Sequence, residues 1–133
     1  MRFRVLFLTV MPSPYLRELF QALHTDARIE IRVLYCTQSA AGRNWLPVAL
    51  FPYEKVLLGT TMTWLGPSAH FNPSIAQIAF QQDTDLFVLG DYSAPTTQIA
   101  MWFLTRRKRP WVFWGEVPGF NRRGRLASLL SAL

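Results

Sequence analysis

An almost unbroken apolar run, Phe3 to Val10, opens the chain and is interrupted only by Arg4 and Thr9. A strand that is covered on both faces needs such a run, and strands of this kind occur in parallel sheets. The run is too short to span a bilayer, and Pro12-Ser13-Pro14 follows it without the small-residue pattern of a signal-peptide cleavage site. Ligands of open α/β sheets bind at the carboxyl ends of the strands, so the segment after this strand is a candidate functional joint.

The rest of the chain alternates between strand and helix patterns. The predicted strands are Phe3–Val10, Ile29–Cys36, Tyr53–Leu58, Leu86–Leu89 and Trp111–Trp114, and the predicted helices are Ser13–Thr25, Asn72–Gln82, Thr96–Arg107 and Arg122–Leu133. Alternation of this kind implies right-handed crossovers and parallel pairing. We therefore predict one α/β domain, a three-layer α/β/α sandwich with a mainly parallel sheet of about five strands in the order 3-2-1-4-5.

Two of the helices begin with recognisable start signals. Ser13 is suited to the N-cap of the first helix, with Pro14 at the first helical position. Asn72 and Pro73 make the same pair before the second helix. The segment between the third strand and Asn72, residues 59–71, is predicted to be a loop.

Composition and missing motifs exclude several classes of protein. Half of the 133 residues are hydrophobic, which fits one globular domain and not a disordered chain. Cys36 is the only cysteine, which excludes an intrachain disulfide and a cysteine zinc cluster and fits a reducing compartment such as the cytoplasm. His24 and His70 lack metal-ligand spacing, so we predict no metal site. No glycine-rich dinucleotide motif is present, which disfavours a Rossmann oxidoreductase, and no cofactor is predicted. A Walker A motif is also absent, and the absence of a nucleophile elbow argues against an α/β-hydrolase.

The positive charge is concentrated near the C-terminus. The formal net charge is +6, and half of the 14 basic residues are Arg106, Arg107, Lys108, Arg109, Arg122, Arg123 and Arg125. Such a patch favours an anionic partner, either a phosphorylated substrate or an anionic membrane surface, and the alternative is a solvated helix end and loop. No nucleic-acid recognition module accompanies the charge, so nucleic acid is not an expected partner.

Candidate ligand-binding residues lie in three joints, each of which follows a predicted strand. They are Ser13, Tyr15 and Arg17 in the first joint, Asp91 and Tyr92 in the second, and Glu116 in the third. Because the carboxyl ends of parallel strands open on the same side of a sheet, we expect the three joints to line one cleft.

Each joint has a chemical interpretation and a structural alternative. In the first joint, a helix N-terminus together with Arg17 attracts anions. In the second joint, the Asp91 carboxylate and the Tyr92 phenol can form hydrogen bonds with sugar hydroxyls. In the third joint, Glu116 is suited to act as a general base or to orient a hydroxyl. The alternatives are helix capping by Ser13 or Asp91 and an ion pair between Glu116 and Arg122 or its neighbours.

The order of these motifs resembles that of a known family. Thr9-Val-Met-Pro-Ser-Pro-Tyr15 leads into the first helix, Phe71-Asn-Pro-Ser-Ile75 opens the second, and Asp85-Leu-Phe-Val-Leu-Gly-Asp-Tyr92 and Pro110-Trp-Val-Phe-Trp-Gly-Glu116 follow. This order is similar to that of the N-terminal domain of bacterial GT-B-type retaining glycosyltransferases, the family of sucrose synthase and many lipopolysaccharide and exopolysaccharide enzymes. The resemblance covers essentially the whole chain.

The resemblance implies a function as well as a fold. In this family a Rossmann-like N-terminal domain faces the acceptor, and a C-terminal domain binds the nucleotide-sugar donor. The chain is then expected to be the acceptor-side part of an enzyme that transfers a sugar to a glycan or lipid-linked acceptor, in the cytoplasm and peripherally on the inner membrane. The alternative is a non-catalytic Rossmann-like module that binds a nucleotide or a protein.

The C-terminal leucines add one more expectation. Leu126, Leu129, Leu130 and Leu133 form an apolar stripe without a capping glycine or a polar tail. This pattern predicts that the chain is part of a larger architecture, and an isolated half of a two-domain cleft is expected to be inactive.

Overall fold

Five strands form a parallel sheet in a computed structural model that describes residues 1–38, 49–65, 69–80, 83–91 and 94–115. The sheet strands are β1 (Phe3–Thr9), β2 (Ile29–Tyr35), β3 (Glu54–Val56), β6 (Leu86–Leu89) and β7 (Trp111–Phe113), and β4 (Thr60–Thr61) and β5 (His70–Phe71) form a separate antiparallel pair. The order across the large sheet is β3-β2-β1-β6-β7, with every neighbouring pair parallel. The predicted α/β fold with a mainly parallel sheet is confirmed.

Strand β1 is the centre of the sheet, as its apolar run predicts. It pairs with β2 along its whole length and with β6 from Val5 to Leu8. Because successive side chains point to opposite faces, Val5 and Phe7 contribute to one core, whereas Leu6 and Leu8 contribute to the other. The strand therefore lies between two apolar layers.

Helix α1 (Pro14–Thr25) covers one face of the sheet. It begins as predicted: the Ser13 side chain accepts a hydrogen bond from the Leu16 N–H at 3.2 Å, and Pro14 is in the first turn. Phe20 is fully buried, and its ring centroid lies 4.9 Å from that of Phe7. This contact joins the helix to the centre of the sheet.

Helix α2 (Pro95–Arg106) and a 3₁₀ helix (Pro73–Phe80) pack on the opposite face. Ala100 and Leu104 of α2 belong to the same buried cluster as Ile75 and Ile78 of the 3₁₀ helix. The side chains of β1 and β6 that point to this face complete the cluster.

The second predicted helix differs from the structure in type. The described part of the predicted range Asn72–Gln82 is the 3₁₀ helix, and the Asn72 side chain does not cap it. Its amide Nδ2 donates instead to the carbonyl oxygens of Cys36 at 2.9 Å and of Leu57 and Leu58 at 3.2 Å. Buried carbonyl groups need donors, and this demand outweighs the local capping preference.

The segment 59–71 is also more ordered than predicted. It contains the β4–β5 pair and a short 3₁₀ helix (Thr63–Leu65), where the sequence indicates a loop. Strands of two residues are too short for a period-two pattern to be recognised in the sequence.

The last predicted helix and the possibility of a membrane-spanning helix remain to be compared with the structure. The predicted last helix, Arg122–Leu133, lies outside the described residues. Within the described part of the chain, no helix combines the length and the apolar character required to cross a membrane.

Gly59 is expected to be required where the β3–β4 connection meets Asn72. A Cβ atom at Gly59 would lie 2.3 Å from the Phe71 carbonyl oxygen and 2.4 Å from Asn72 Nδ2. Because neither group can move without breaking the buried network, Gly59→Ala should lower the free energy of unfolding by about 1–3 kcal/mol in urea denaturation. Gly115→Ala is the matched control, since the atoms nearest to its Cβ would belong to the exposed Phe113 ring, at 2.6 Å. Equal losses in the two variants would contradict this explanation.

Candidate functional site

The first two predicted joints meet at the carboxyl edge of the sheet. The Gly90 N–H donates to the Leu8 carbonyl oxygen at 2.7 Å, which places the end of β6 beside the end of β1. The Trp114 N–H donates to the Leu89 carbonyl oxygen at 2.8 Å, so β7 also ends at this edge. The chain proceeds from β1 to β2 on one side, and β6 lies on the other side of β1. The gap between β1 and β6 is therefore a topological switch point, where open α/β sheets bind ligands.

The structure describes four of the six predicted site residues. Ser13 is half-buried and caps α1, and Tyr15 in the first turn is 81% exposed. Asp91 is half-buried directly after β6 and has a positive φ of 51°, a conformation that costs energy for a residue other than glycine. Tyr92 and Glu116 lie outside the described residues. Ligand contacts of all six residues stay predictions.

Arg17, the fourth described residue, is held by protein groups. Its Nε lies 3.2 Å from Oε2 of Glu54 and its Nη2 lies 2.8 Å from Oε1, a bidentate ion pair. Nη2 also donates to the Ala49 carbonyl oxygen at 2.7 Å, and the guanidinium carbon lies 4.7 Å from the centre of the Phe51 ring. Arg17 thus connects α1 to the segment that leads into β3, and an anionic ligand would have to compete with Glu54 for it.

Glu54 is the centre of a buried cluster of hydrogen-bonded groups that the sequence does not reveal. Its side chain is fully buried, and its carboxylate also accepts hydrogen bonds from the Tyr35 hydroxyl and from the Phe51 N–H, the latter at 2.9 Å. Burial raises the pKa of Glu54, but the hydrogen bonds from Arg17, Tyr35 and Phe51 outweigh burial and leave the pKa below its usual value. Burial, assisted by Glu54, raises the pKa of Tyr35, so its hydroxyl remains a proton donor.

A second polar cluster lies behind the carboxyl edge. Thr96 Oγ1, in the first turn of α2, lies 2.8 Å from both the His70 carbonyl oxygen and Oδ1 of Asn72. Thr97 Oγ1 donates to the Gly90 carbonyl oxygen at 3.0 Å. The Cys36 thiol is buried nearby; burial raises its pKa to about 12, which outweighs the hydrogen bond to Thr96, so Cys36 is not suited to be a nucleophile.

His70 is a buried imidazole whose charged form is disfavoured by burial. It is 2% exposed, its Nδ1 lies 2.8 Å from Thr61 Oγ1 across the β4–β5 pair, and its Nε2 has no hydrogen-bond partner among the described residues. Burial lowers the pKa of His70, and the negative charge of Asp91 only partly opposes this effect. The sequence offered no orienting partner for this histidine, because Thr61 becomes its neighbour only through strand pairing.

Two further features bear on ligand binding. A cavity of about 120 Å³ lies between β2, β3 and the 3₁₀ helix Pro73–Phe80, away from the switch point, and is lined by Leu34, Lys55, Leu57, Ser74, Ile75, Gln77 and Ile78. Among the residues that the structure describes, no group of three or more histidine, cysteine or acidic side chains is arranged to hold a metal ion.

Comparison of the chain with protein-family models, with curated proteins and with solved structures gave no match. The resemblance to glycosyltransferases therefore depends on the motifs of the sequence.

The Arg17–Glu54 pair is expected to contribute strongly to stability. Arg17→Met leaves a buried carboxylate without its cation and should cost roughly 3 kcal/mol of unfolding free energy in urea denaturation.

The contribution of Glu54 to stability should also depend on pH. Because the pKa of Glu54 is lowered by folding, this contribution is complete above the unfolded-state pKa of about 4.3 and is lost as the pH falls through the folded-state pKa. The difference in unfolding free energy between the wild type and Glu54→Gln should therefore become smaller in that acidic range.

Arg28→Met is the matched control for the ion pair. Arg28 binds Asp26, but its side chain is 87% exposed, so solvent screens the pair and its loss should hardly change stability. A loss in Arg28→Met equal to that in Arg17→Met would show that burial of Glu54 is not the cause.

Proposed function

We propose that the chain is the acceptor-binding N-terminal domain of a GT-B-type glycosyltransferase. In this proposal the fold is a Rossmann-like three-layer α/β/α sandwich whose strand order, counted in the large sheet alone, is 3-2-1-4-5. The enzyme transfers a sugar from a nucleotide-sugar to a glycan or lipid-linked acceptor. The observation that supports the proposal is the switch point between β1 and β6, because the segments after these two strands, which contain Ser13 and Asp91, lie at the same edge of the sheet.

The chemistry of this edge suits a neutral polyhydroxyl ligand better than an anion. Asp91 adds a carboxylate, and Arg17, the cation of the first joint, is already paired with Glu54. A carboxylate accepts hydrogen bonds from sugar hydroxyls, whereas it repels a phosphate.

Glu116 has the catalytic role in this proposal. It follows Gly115, the last described residue after β7, and a carboxylate here accepts a hydrogen bond from the acceptor hydroxyl and orients its oxygen. The donor belongs to a second domain, so this chain by itself is expected to bind an acceptor and to catalyse no transfer.

The second candidate is a Rossmann-like module that binds a nucleotide or a protein without catalysis. It is favoured by the state of the titratable groups behind the edge. Cys36 and His70 are both buried, so neither side chain is accessible to a ligand as a nucleophile or a base, and burial also keeps the Cys36 thiol protonated.

An anionic membrane surface is the proposed further partner. Arg106 at the end of α2 and Arg107 and Lys108 directly after it are exposed at the amino edge of the sheet. The Arg106 guanidinium lies 5.4 Å from the centre of the Trp102 ring, which is 57% exposed. Basic residues next to an interfacial tryptophan are typical of peripheral membrane contact. This surface and the switch point lie at opposite edges of the sheet.

Asp91 and Asp85 flank β6 at its two ends, which gives the acceptor proposal a matched test. Asp91→Asn should weaken binding of methyl glycosides by roughly tenfold or more, measured by NMR titration, because a hydrogen bond to a charged group is lost. Asp85→Asn removes a carboxylate from the amino edge and should leave the affinity unchanged. Binding of uridine diphosphate without binding of any glycoside would support the second candidate, and equal effects of the two variants would contradict a site at the carboxyl edge.

The membrane proposal predicts salt-sensitive cosedimentation with vesicles. The chain should pellet with phosphatidylglycerol vesicles at low salt more than with phosphatidylcholine vesicles, since each basic residue near an anionic surface contributes about 1 kcal/mol. Replacing Arg106 and Lys108 by serine should reduce the pelleted fraction. Equal sedimentation with the two lipids would refute the membrane contact.

A further inference from the structure

The indole of Trp114 is a partly exposed ring that is held at the carboxyl edge. Trp114 is 42% exposed, although it directly follows β7 and its backbone N–H donates to the Leu89 carbonyl oxygen. Its ring centroid lies 6.3 Å from that of Phe7, with an angle of 71° between the planes. An edge contact of this kind holds an aromatic ring while leaving much of its surface accessible.

The strand register shows where this ring lies. Val112 pairs with Val88, and Val88 pairs with Phe7, so the three residues form a row across the sheet. Trp114 comes two residues after Val112 and therefore points to the same face. Since its ring contacts Phe7, the indole leans across β6 towards β1 and lies beside the switch point.

We propose that Trp114 is the platform on which one pyranose ring of the acceptor stacks. The inference rests on the proposed acceptor function and deepens it. One face of a pyranose presents C–H groups, which are attracted to the negative face of an aromatic ring, and its hydroxyls project at the rim. The indole supplies the apolar face, and Asp91 at the end of β6 supplies a hydroxyl acceptor at the same edge. Sites for small ligands combine aromatic surface with a few polar groups in this way.

The other exposed tryptophans of the described residues lack this setting. Trp64 is 79% exposed in the short 3₁₀ helix Thr63–Leu65, and Trp102 lies on α2 with Arg106 over its ring. Trp102 is one turn from the end of α2 that faces the amino edge, so it is remote from the switch point. It is therefore a suitable control for loss of an exposed indole.

The experiment is a binding titration of the purified chain with methyl glycosides of glucose, galactose, mannose and N-acetylglucosamine. Affinity is measured by NMR for the wild type, Trp114→Leu, Trp114→Phe and Trp102→Leu. Trp114→Leu should weaken binding of the best glycoside about tenfold, Trp114→Phe should retain part of the affinity, and Trp102→Leu should bind like the wild type. Saturation of the sugar C–H protons in the wild-type complex should also transfer to the Trp114 indole protons, a measurement that needs no variant.

The outcomes separate the platform from the function on which it rests. If Trp114→Leu binds the glycoside as tightly as the wild type does, the stacking role of Trp114 is wrong, whereas the proposed acceptor function is not contradicted. Absence of any glycoside binding by the folded wild type overturns both. If Trp114→Leu does not fold, as judged by circular dichroism, the phenylalanine variant and the saturation transfer decide, and no transfer to Trp114 overturns the platform. Stacking of uridine diphosphate on Trp114 in place of a glycoside also overturns it.

Discussion

Burial of β1 on both faces is the constraint on which the rest of the structure depends. Its side chains alternate between two cores, one under α1 and one under α2, and its backbone is paired on both edges. The middle of this strand, Val5–Leu8, is buried on both faces, so its sequence must be apolar there. The same position makes β1 one side of the switch point. A strand that is apolar in its middle thus also positions the carboxyl edge at which the site is proposed.

Two buried polar side chains join segments that the strand pairing alone would leave apart. Asn72 binds the backbone after β2 and after β3, and Glu54 binds α1 through Arg17 and β2 through Tyr35. Both side chains are almost fully saturated with partners, which offsets the cost of burying them. Because each satisfies groups from several elements, they fix the positions of the loops around the carboxyl edge as well as adding stability.

The sequence predicted long elements better than the parts that connect them. Strand β6 has the predicted bounds, Leu86–Leu89, and Ser13 caps α1 as expected, since both depend on local patterns. The β4–β5 pair and the role of Asn72 were missed, because each depends on partners distant in the chain. The site predictions divide in the same way. The joints after β1 and β6 do lie at one edge, but the pairing of Arg17 with Glu54 could not be foreseen from their separation in sequence.

By itself, the sequence determined the alternation of strands and helices, the parallel sheet and the central place of its most apolar strand. These properties follow from periodicity and from start signals that operate within a few residues. Only the tertiary structure decided which polar groups became buried partners, that burial lowers the pKa of His70, and that Trp114 leans towards β1 with part of its surface exposed. The reason is that hydrogen bonding, desolvation and ring contacts depend on distances in space, and those distances exist only after the strands have paired.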